Sequence, residues 1–419
     1  EEWYVNDRRG LEHGYTIRER PEGAGGDAPL QLELAVRGAL RPEVTNGGRD
    51  VSFIRVEGAM VLEYSGLVVT DASGERLQAS FEVEGGALTL SIEDGRAAYP
   101  VSIDPVAQQA YLKPTDPDFF DSFGHAVAIS GDTVVVGAPF EDSMATGVNG
   151  DSSDNSSNHS GAAFVFKRSG ASWAQQAYLK ASNTGAIDRF GYDVAISGDT
   201  IVVGAPLEDS AASGVGGDEG NNTLSSAGAA YVFIRSGSTW SQQAYLKATT
   251  PGLQDQFGQA VSIDGDTIVI GAPREDSGAT GVGGDDSDDS VTDAGAAYVY
   301  VRSGTVWSSQ AYLKASDVDT FDDFGLAVSV SGDSILVGAP YEDSAAQGID
   351  GADDNDSANG AGAAYLFTRS GSSWSQQAYL KASNTGAGDS FGAAVALSSD
   401  TAVVGAAGED SAAHGVDGD

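Results

Sequence analysis

Cysteine is absent from the 419 residues. Its absence excludes a disulfide framework, thiolate-held zinc or iron–sulfur centres and a cysteine nucleophile. Export stays open, because a large β-protein is stable without such staples. Positive charge is scarce: 22 Lys and Arg stand against 61 Asp and Glu, for a net charge of −39. A field of that sign repels phosphate backbones and anionic lipid, which argues against nucleic-acid partners and a membrane-surface role. No apolar run approaches the roughly 20 residues that span a bilayer. The opening residues Glu1-Glu-Trp-Tyr-Val show no basic-then-apolar export signal, so such a signal is expected upstream or already removed. Helical periodicity of convincing length is also missing. Apolar residues nonetheless make up 41% of the chain, enough for a large core,. The length suggests two to four domains at about 100–200 residues each.

The two signs of charge are not evenly spread. Residues 1–107 carry 13 Glu and 6 Asp against 10 Arg and no Lys, whereas residues 108–419 carry 6 Glu and 36 Asp. Glu tolerates regular structure, while Asp favours turns, caps and cation-holding loops. A boundary is therefore expected near Asp104-Pro105. In residues 1–107, segments such as Gln31–Val36, Val51–Val56 and Ala87–Ile92 alternate apolar with polar residues. They read as strands of a small β-rich domain.

Residues 108–419 are a tandem repeat. Ala-Tyr-Leu-Lys recurs with its Tyr at 111, 178, 245, 312 and 379, a constant step of 67 residues. Phe-Gly begins at 123, 190, 257, 324 and 391, and Gly-Ala at 137, 204, 271, 338 and 405, followed by Pro in the first four copies. Four units (123–180, 190–247, 257–314 and 324–381) and a partial fifth (391–419) are present. Each unit reads as four strands. In the first these are Phe123–Ser130, Thr133–Pro139, Gly161–Arg168 and Trp173–Lys180. Ser-Gly-Asp-Thr forms a hairpin turn between the first two, and a loop rich in Asp, Ser, Gly and Asn joins the second to the third. Four short antiparallel strands per unit predict an all-β fold, a β-propeller of four-stranded antiparallel blades preceded by the small β-rich domain.

These motifs resemble the FG-GAP repeats of the integrin α-subunit propeller and of bacterial exported proteins. The resemblance implies that the Phe-Gly and Gly-Ala-Pro segments of neighbouring units pack together around a ring. Two departures stand out. Integrin-type blades often hold calcium in a loop between first and second strands, but here that connection is only Ser130-Gly-Asp-Thr133. The family's ring also usually has more blades than the four and a half supplied here. The polypeptide is therefore expected to continue beyond Asp419. The string Gln108–Lys113 reads as an orphan fourth strand that completes the last blade of a closed ring or caps an open array.

The loop between second and third strands is the candidate site. It opens with Glu-Asp-Ser in every copy. The candidate ligands are Glu141, Asp142, Asp151 and Asp154; Glu208, Asp209 and Asp218; Glu275, Asp276, Asp285 and Asp288; and Glu342, Asp343 and Asp353. Calcium takes six to eight hard oxygen ligands from flexible loops, and gathered carboxylates repel one another without a cation. Ca2+ is the expected occupant. A solvated acidic loop held by Asx-turns is the alternative. The aspartates two residues before each Phe-Gly, such as Asp121, and those in the hairpin turns, such as Asp132, read as backbone-bonding turn residues.

Little suggests catalysis. His13, His125, His159 and His414 share no repeat position, and no Gly-x-Ser-x-Gly elbow is present. An active site breaks symmetry, whereas these carboxylates recur in every unit. The expectation is a non-enzymatic exported or cell-surface protein whose propeller is a calcium-stabilised adhesion or interaction platform. Its partner would be a protein or glycan on another surface. The alternatives are a self-associating fibre or surface-layer subunit, and a non-catalytic module of a larger secreted enzyme.

Overall fold

The computed structural model describes residues 2–7, 10–21, 29–34, 40–55, 60–84, 87–108, 110–169 and 172–411. The chain divides into two compact units, one running to Leu112 and one from Lys113 onward, with Ser169–Trp173 grouped with the first. Among the described residues the only helical element is the turn Asn46–Gly48.

The first unit has two antiparallel sheets. One has six strands in the order Glu2–Asp7, Gly10–Ile17, Val101–Gln108, Met60–Thr70, Asp50–Arg55 and Leu40–Thr45. The other has Leu30–Leu34, Ala87–Ile92 and Ala79–Glu84. The alternation seen in the sequence decides which side is covered: Leu88, Leu90 and Ile92 are buried while their neighbours are partly exposed. They pack with Val51, Phe53, Val69, Phe81, Val101 and Ile103 in one core.

The string Gln108–Lys113 departs from its expected role. Gln108 ends a strand of the first unit, paired with Glu63, and residues 110–114 form no strand. Its copies elsewhere pair with a third strand of their own unit. Among the described residues no such third strand precedes this one, and Gln108 instead extends the strand that begins at Val101, between Gly10–Ile17 and Met60–Thr70.

The second unit is built from the repeat. Its first sheet runs Val127–Ser130, Thr133–Ala138, Ala162–Ser169 and Ser172–Leu179 in consecutive order. Three further four-stranded sheets follow at the same step, then a two-stranded sheet, Phe391–Ser398 with Thr401–Ala406. The first strands of successive sheets touch one another in sequence. Equivalent residues of all five copies line one central cavity. The sheets are therefore blades set about a common axis, with the first strand innermost. Strand direction alternates, so the second-to-third and fourth-to-first connections share one end of every blade. The hairpin turns occupy the other end.

Blade faces carry the core. Thr200–Ala205 is buried along its whole length, as its unbroken apolar run demands of a strand covered on both faces,. Val135, Val165 and Leu179 of the first blade pack with Phe190, Ile201, Tyr231 and Phe233 of the second. Close approach at the junction depends on two glycines. A Cβ on Gly137 would lie 2.1 Å from the Gly191 carbonyl oxygen, and one on Gly191 would lie 2.1 Å from that of Ala162. Phe190 pairs in parallel with Gly161 of the preceding blade and sets its ring edge-on to Tyr231 at 5.3 Å. Phe-Gly and Gly-Ala-Pro thus meet across each junction, as the resemblance implied.

A second set of ties crosses from blade to blade. Arg235 Nε donates to Asp199 at 2.7 Å in its own blade, while its Nη1 donates to Thr133 of the preceding blade at 2.9 Å. The guanidinium lies over Trp240, whose Nε1 donates to Gln176 at 2.9 Å. Arg302 and Arg369 repeat the arrangement. The hairpin-turn aspartates therefore anchor arginines.

Candidate functional site

In the first four copies two residues separate the buried second strand from the Glu-Asp-Ser opening of the long loop, so its first side chain is delivered into the interior. Glu141 accepts from Lys180 Nζ at 2.8 Å and from the Tyr178 hydroxyl at 2.7 Å. Lys180 also donates to Ser160 Oγ at 2.8 Å. The same pair recurs as Lys247 with Glu208 at 2.9 Å, Lys314 with Glu275 at 3.0 Å and Lys381 with Glu342 at 2.6 Å. Tyr245, Tyr312 and Tyr379 complete the copies. Burial pulls Lys180, Lys247 and Lys314 below the usual lysine range, against the attraction of their glutamates. It likewise pushes Glu275 up, against Lys314. Charges this far from water persist only when paired and hydrogen-bonded.

The second and third residues of the tripeptide close the loop on itself. Asp142 Oδ1 accepts the backbone N–H of His159 at 2.6 Å, and Asp209, Asp276 and Asp343 do the same for Ser226, Asp293 and Gly360. Ser143 Oγ donates to the Asp151 carbonyl at 2.8 Å, and Ser210, Ser277 and Ser344 reach the carbonyls eight residues on in their copies. The first residue holds the fourth strand, the second the loop's far end, the third its middle.

Further out most of the aspartates make short local bonds. Asp151 accepts from Ser153 N and Oγ, and Asp285 from Ser287 N and Oγ, which holds both carboxyls below the usual range. Asp154 accepts from Ser156, Asp218 from Gly220, and Asp288 from Gly278 and Ser290. Asp353 accepts from Ser316 Oγ. Asp151, Asp154, Asp218 and Asp285 thus make the Asx-turns that the residue types favour, whereas Asp353 reaches a serine 37 residues away,. The glutamates are thus separated from the loop aspartates with which the sequence groups them.

Among the described residues, three carboxylates converge within 4.8 Å at one place: Asp317, Asp319 and Asp356. Asp353 and Asp343 border that group. Its signal in the sequence is Asp317-Val-Asp319, where the first copy has Asn183-Thr-Gly185. Against calcium's demand for several oxygens, the four buried glutamates do not fit, because lysine and tyrosine already occupy them. The convergent aspartates are the donor set that suits it.

A further carboxylate sits at each blade junction. Asp188 is buried, accepts Gly185 N–H at 2.8 Å, and is pushed up to about 7 by burial first and by Glu208 second. Burial raises Asp255 and Asp322 to about 7 in the same way. All three bond to backbone, as the turn reading expects.

A family model described as FG-GAP repeat matches residues 106–166, 173–233, 240–300, 307–367 and 374–418. The second, third and fourth matched segments each begin in a fourth strand and end in the next third strand, so the family's unit is staggered against the blade. No curated protein matches the chain.

Proposed function

Since this chain belongs to the FG-GAP repeat family, we propose that it is a non-enzymatic interaction platform displayed outside the cell. The observation that carries this reading is the fourfold Lys–Glu–Tyr network. It spends the buried glutamate, lysine and tyrosine of four blades on holding loops rather than on chemistry. What varies between copies is the outer part of those loops, all at one end of the blades. A rigid frame with a variable rim suits adhesion to a protein or glycan on another surface. The strongly acidic, aspartate-rich composition suits a saline exterior, and the lack of cysteine is compatible with an oxidising one,. Among the described residues no helix is long and apolar enough to cross a membrane.

Calcium enters as a stiffener of the loop end, with Asp317, Asp319 and Asp356 as donors. Melting with and without a chelator tests it: the expected result is a lower melting temperature after chelation, and an unchanged one removes calcium from the reading. The platform itself is tested by surface capture. The chain is immobilised and challenged with protein and glycan surfaces, beside variants whose outer loops or hairpin turns are replaced by Gly-Ser segments. Capture lost with the loops and kept without the turns supports the reading. Absence of capture from every surface, or turnover of a substrate, overturns it.

A further inference from the structure

The cavity on the blade axis has a volume of about 560 Å³ and is lined from all five copies. It is where the repeat stops repeating. The residue after each Phe-Gly is His125, Tyr192, Gln259, Leu326 and Ala393 in turn. No two copies agree at this position, although the Gly immediately before it is the same in all five.

The differences are ordered. The three polar residues come from consecutive blades and touch. The His125 and Tyr192 rings are 4.8 Å apart, and Gln259 Nε2 donates to the Tyr192 hydroxyl at 3.2 Å. That bond leaves the tyrosine proton and the Gln259 carbonyl directed to other partners. The fourth and fifth blades supply an apolar wall, with Leu326, Val328 and Ala393. One side of the cavity therefore offers hydroxyl, amide and imidazole groups, and the other offers only carbon.

Charge narrows the class of ligand. No lysine or arginine lines the cavity, and the chain carries a net charge of −39, so an anion is disfavoured. The one carboxylate there, Asp193, already accepts the N–H groups of Val194 at 2.9 Å and Val261 at 2.7 Å. A cation would find no uncommitted counter-charge. An uncharged molecule with hydroxyls along one edge and an apolar face opposite matches both walls. We propose that the axial cavity binds a neutral sugar ring, held at its hydroxyls by His125, Tyr192 and Gln259. The volume lies within the range of about 300–1,000 Å³ usual for small-molecule sites. The cavity sits at the entry ends of the innermost strands, toward the loop end of the blades. The proposal rests on the platform reading and gives its partner a chemistry.

The repeat supplies its own non-disruptive substitution, because the fourth copy already carries Leu at this position. The test is saturation-transfer NMR on the full chain with glucose, galactose, N-acetylglucosamine, maltose and cellobiose at millimolar concentration. Glucuronate and glucosamine are the charged controls. Transfer to at least one neutral sugar is expected, reduced about tenfold or more in the His125→Leu/Tyr192→Leu/Gln259→Leu variant. Silence from all neutral sugars, undiminished transfer in the variant, or preference for a charged control overturns the site. Surface capture with silent sugars sinks this site and spares the platform. Sugar transfer without surface capture does the reverse.

Discussion

Two sets of equivalent positions run through the same module and behave in opposite ways. At the clasp, the Glu, Lys and Tyr are identical in four blades, and their distances agree within a few tenths of an ångström. At the axis, five blades carry five different residues. The clasp is buried and satisfied within each blade, so a change in one copy is felt by the fold. The axial positions face open space, so the fold tolerates what each copy brings. In a repeat protein, sameness marks what the module needs to stand, and ordered departure marks what the assembly can do with it. Catalytic residue types at repeated positions are weak evidence for chemistry here, because repetition multiplies scaffold.

The strongest way to break this comparison is to titrate the repeated carboxylates together. Asp188, Asp255 and Asp322 are raised to about 7 by burial, from an ordinary carboxyl value of 3.8. A group that binds its proton more tightly when folded stabilises fully below its unfolded pKa, and this contribution is lost as pH rises through the folded one. Between about pH 4 and 7 these three sites therefore lower stability as pH increases. The Asp188→Asn/Asp255→Asn/Asp322→Asn variant, measured by urea unfolding from pH 5 to 8, is expected to show a flatter profile than the parent and the larger gain at pH 8. Parallel profiles would remove the junction aspartates from the account.

A single break in the clasp comes next. Lys247→Met leaves Glu208 buried without its counter-charge, with Tyr245, Asn183 and a backbone N–H as remaining donors. Orphaning a buried charge costs about 3–5 kcal/mol, whereas replacing both partners is often close to neutral. The Lys247→Met/Glu208→Gln pair should therefore unfold at a higher urea concentration than Lys247→Met alone. A double variant as weak as the single one would mean that packing, not the stranded charge, sets the cost.

Much of this fold was legible because five copies reinforce one another: a constant step leaves little freedom for the strands or their order. The junction was legible for the same reason, since only glycine fits where Gly137 meets Gly191. The clasp was not read correctly. Glu141 and Asp142 look alike in sequence, yet one faces the interior and the other the loop. Its lysine is 39 residues away, and nothing local links them. A usable signal did exist: after residue 107 five of six lysines and five of six glutamates fall in Ala-Tyr-Leu-Lys and Glu-Asp-Ser, in lockstep. The Gln108–Lys113 string misled for the converse reason, because a motif forms its element only where its pairing partner is present. The axial cavity was hidden by its own irregularity. His125 matched no other histidine, and was set aside for the feature that gives the axis its character.

The smallest effect sharpens the comparison from the other side. Tyr192 and Gln259 are partly exposed, and the bond between them joins two side chains at an open cavity. Removing it together with His125 strands no buried charge, and leucine is already accommodated at the same backbone position in the fourth blade. Substitutions away from a core or a buried polar network usually change stability by about 0.5 kcal/mol or less. The His125→Leu/Tyr192→Leu/Gln259→Leu variant is therefore expected to unfold within about 1 kcal/mol of the parent by urea titration. A loss of about 3 kcal/mol or more, on the scale of a broken clasp, would make the axial residues structural. The contrast between repeated frame and variable centre would then collapse. Unchanged stability with lost sugar contact would confine their role to binding.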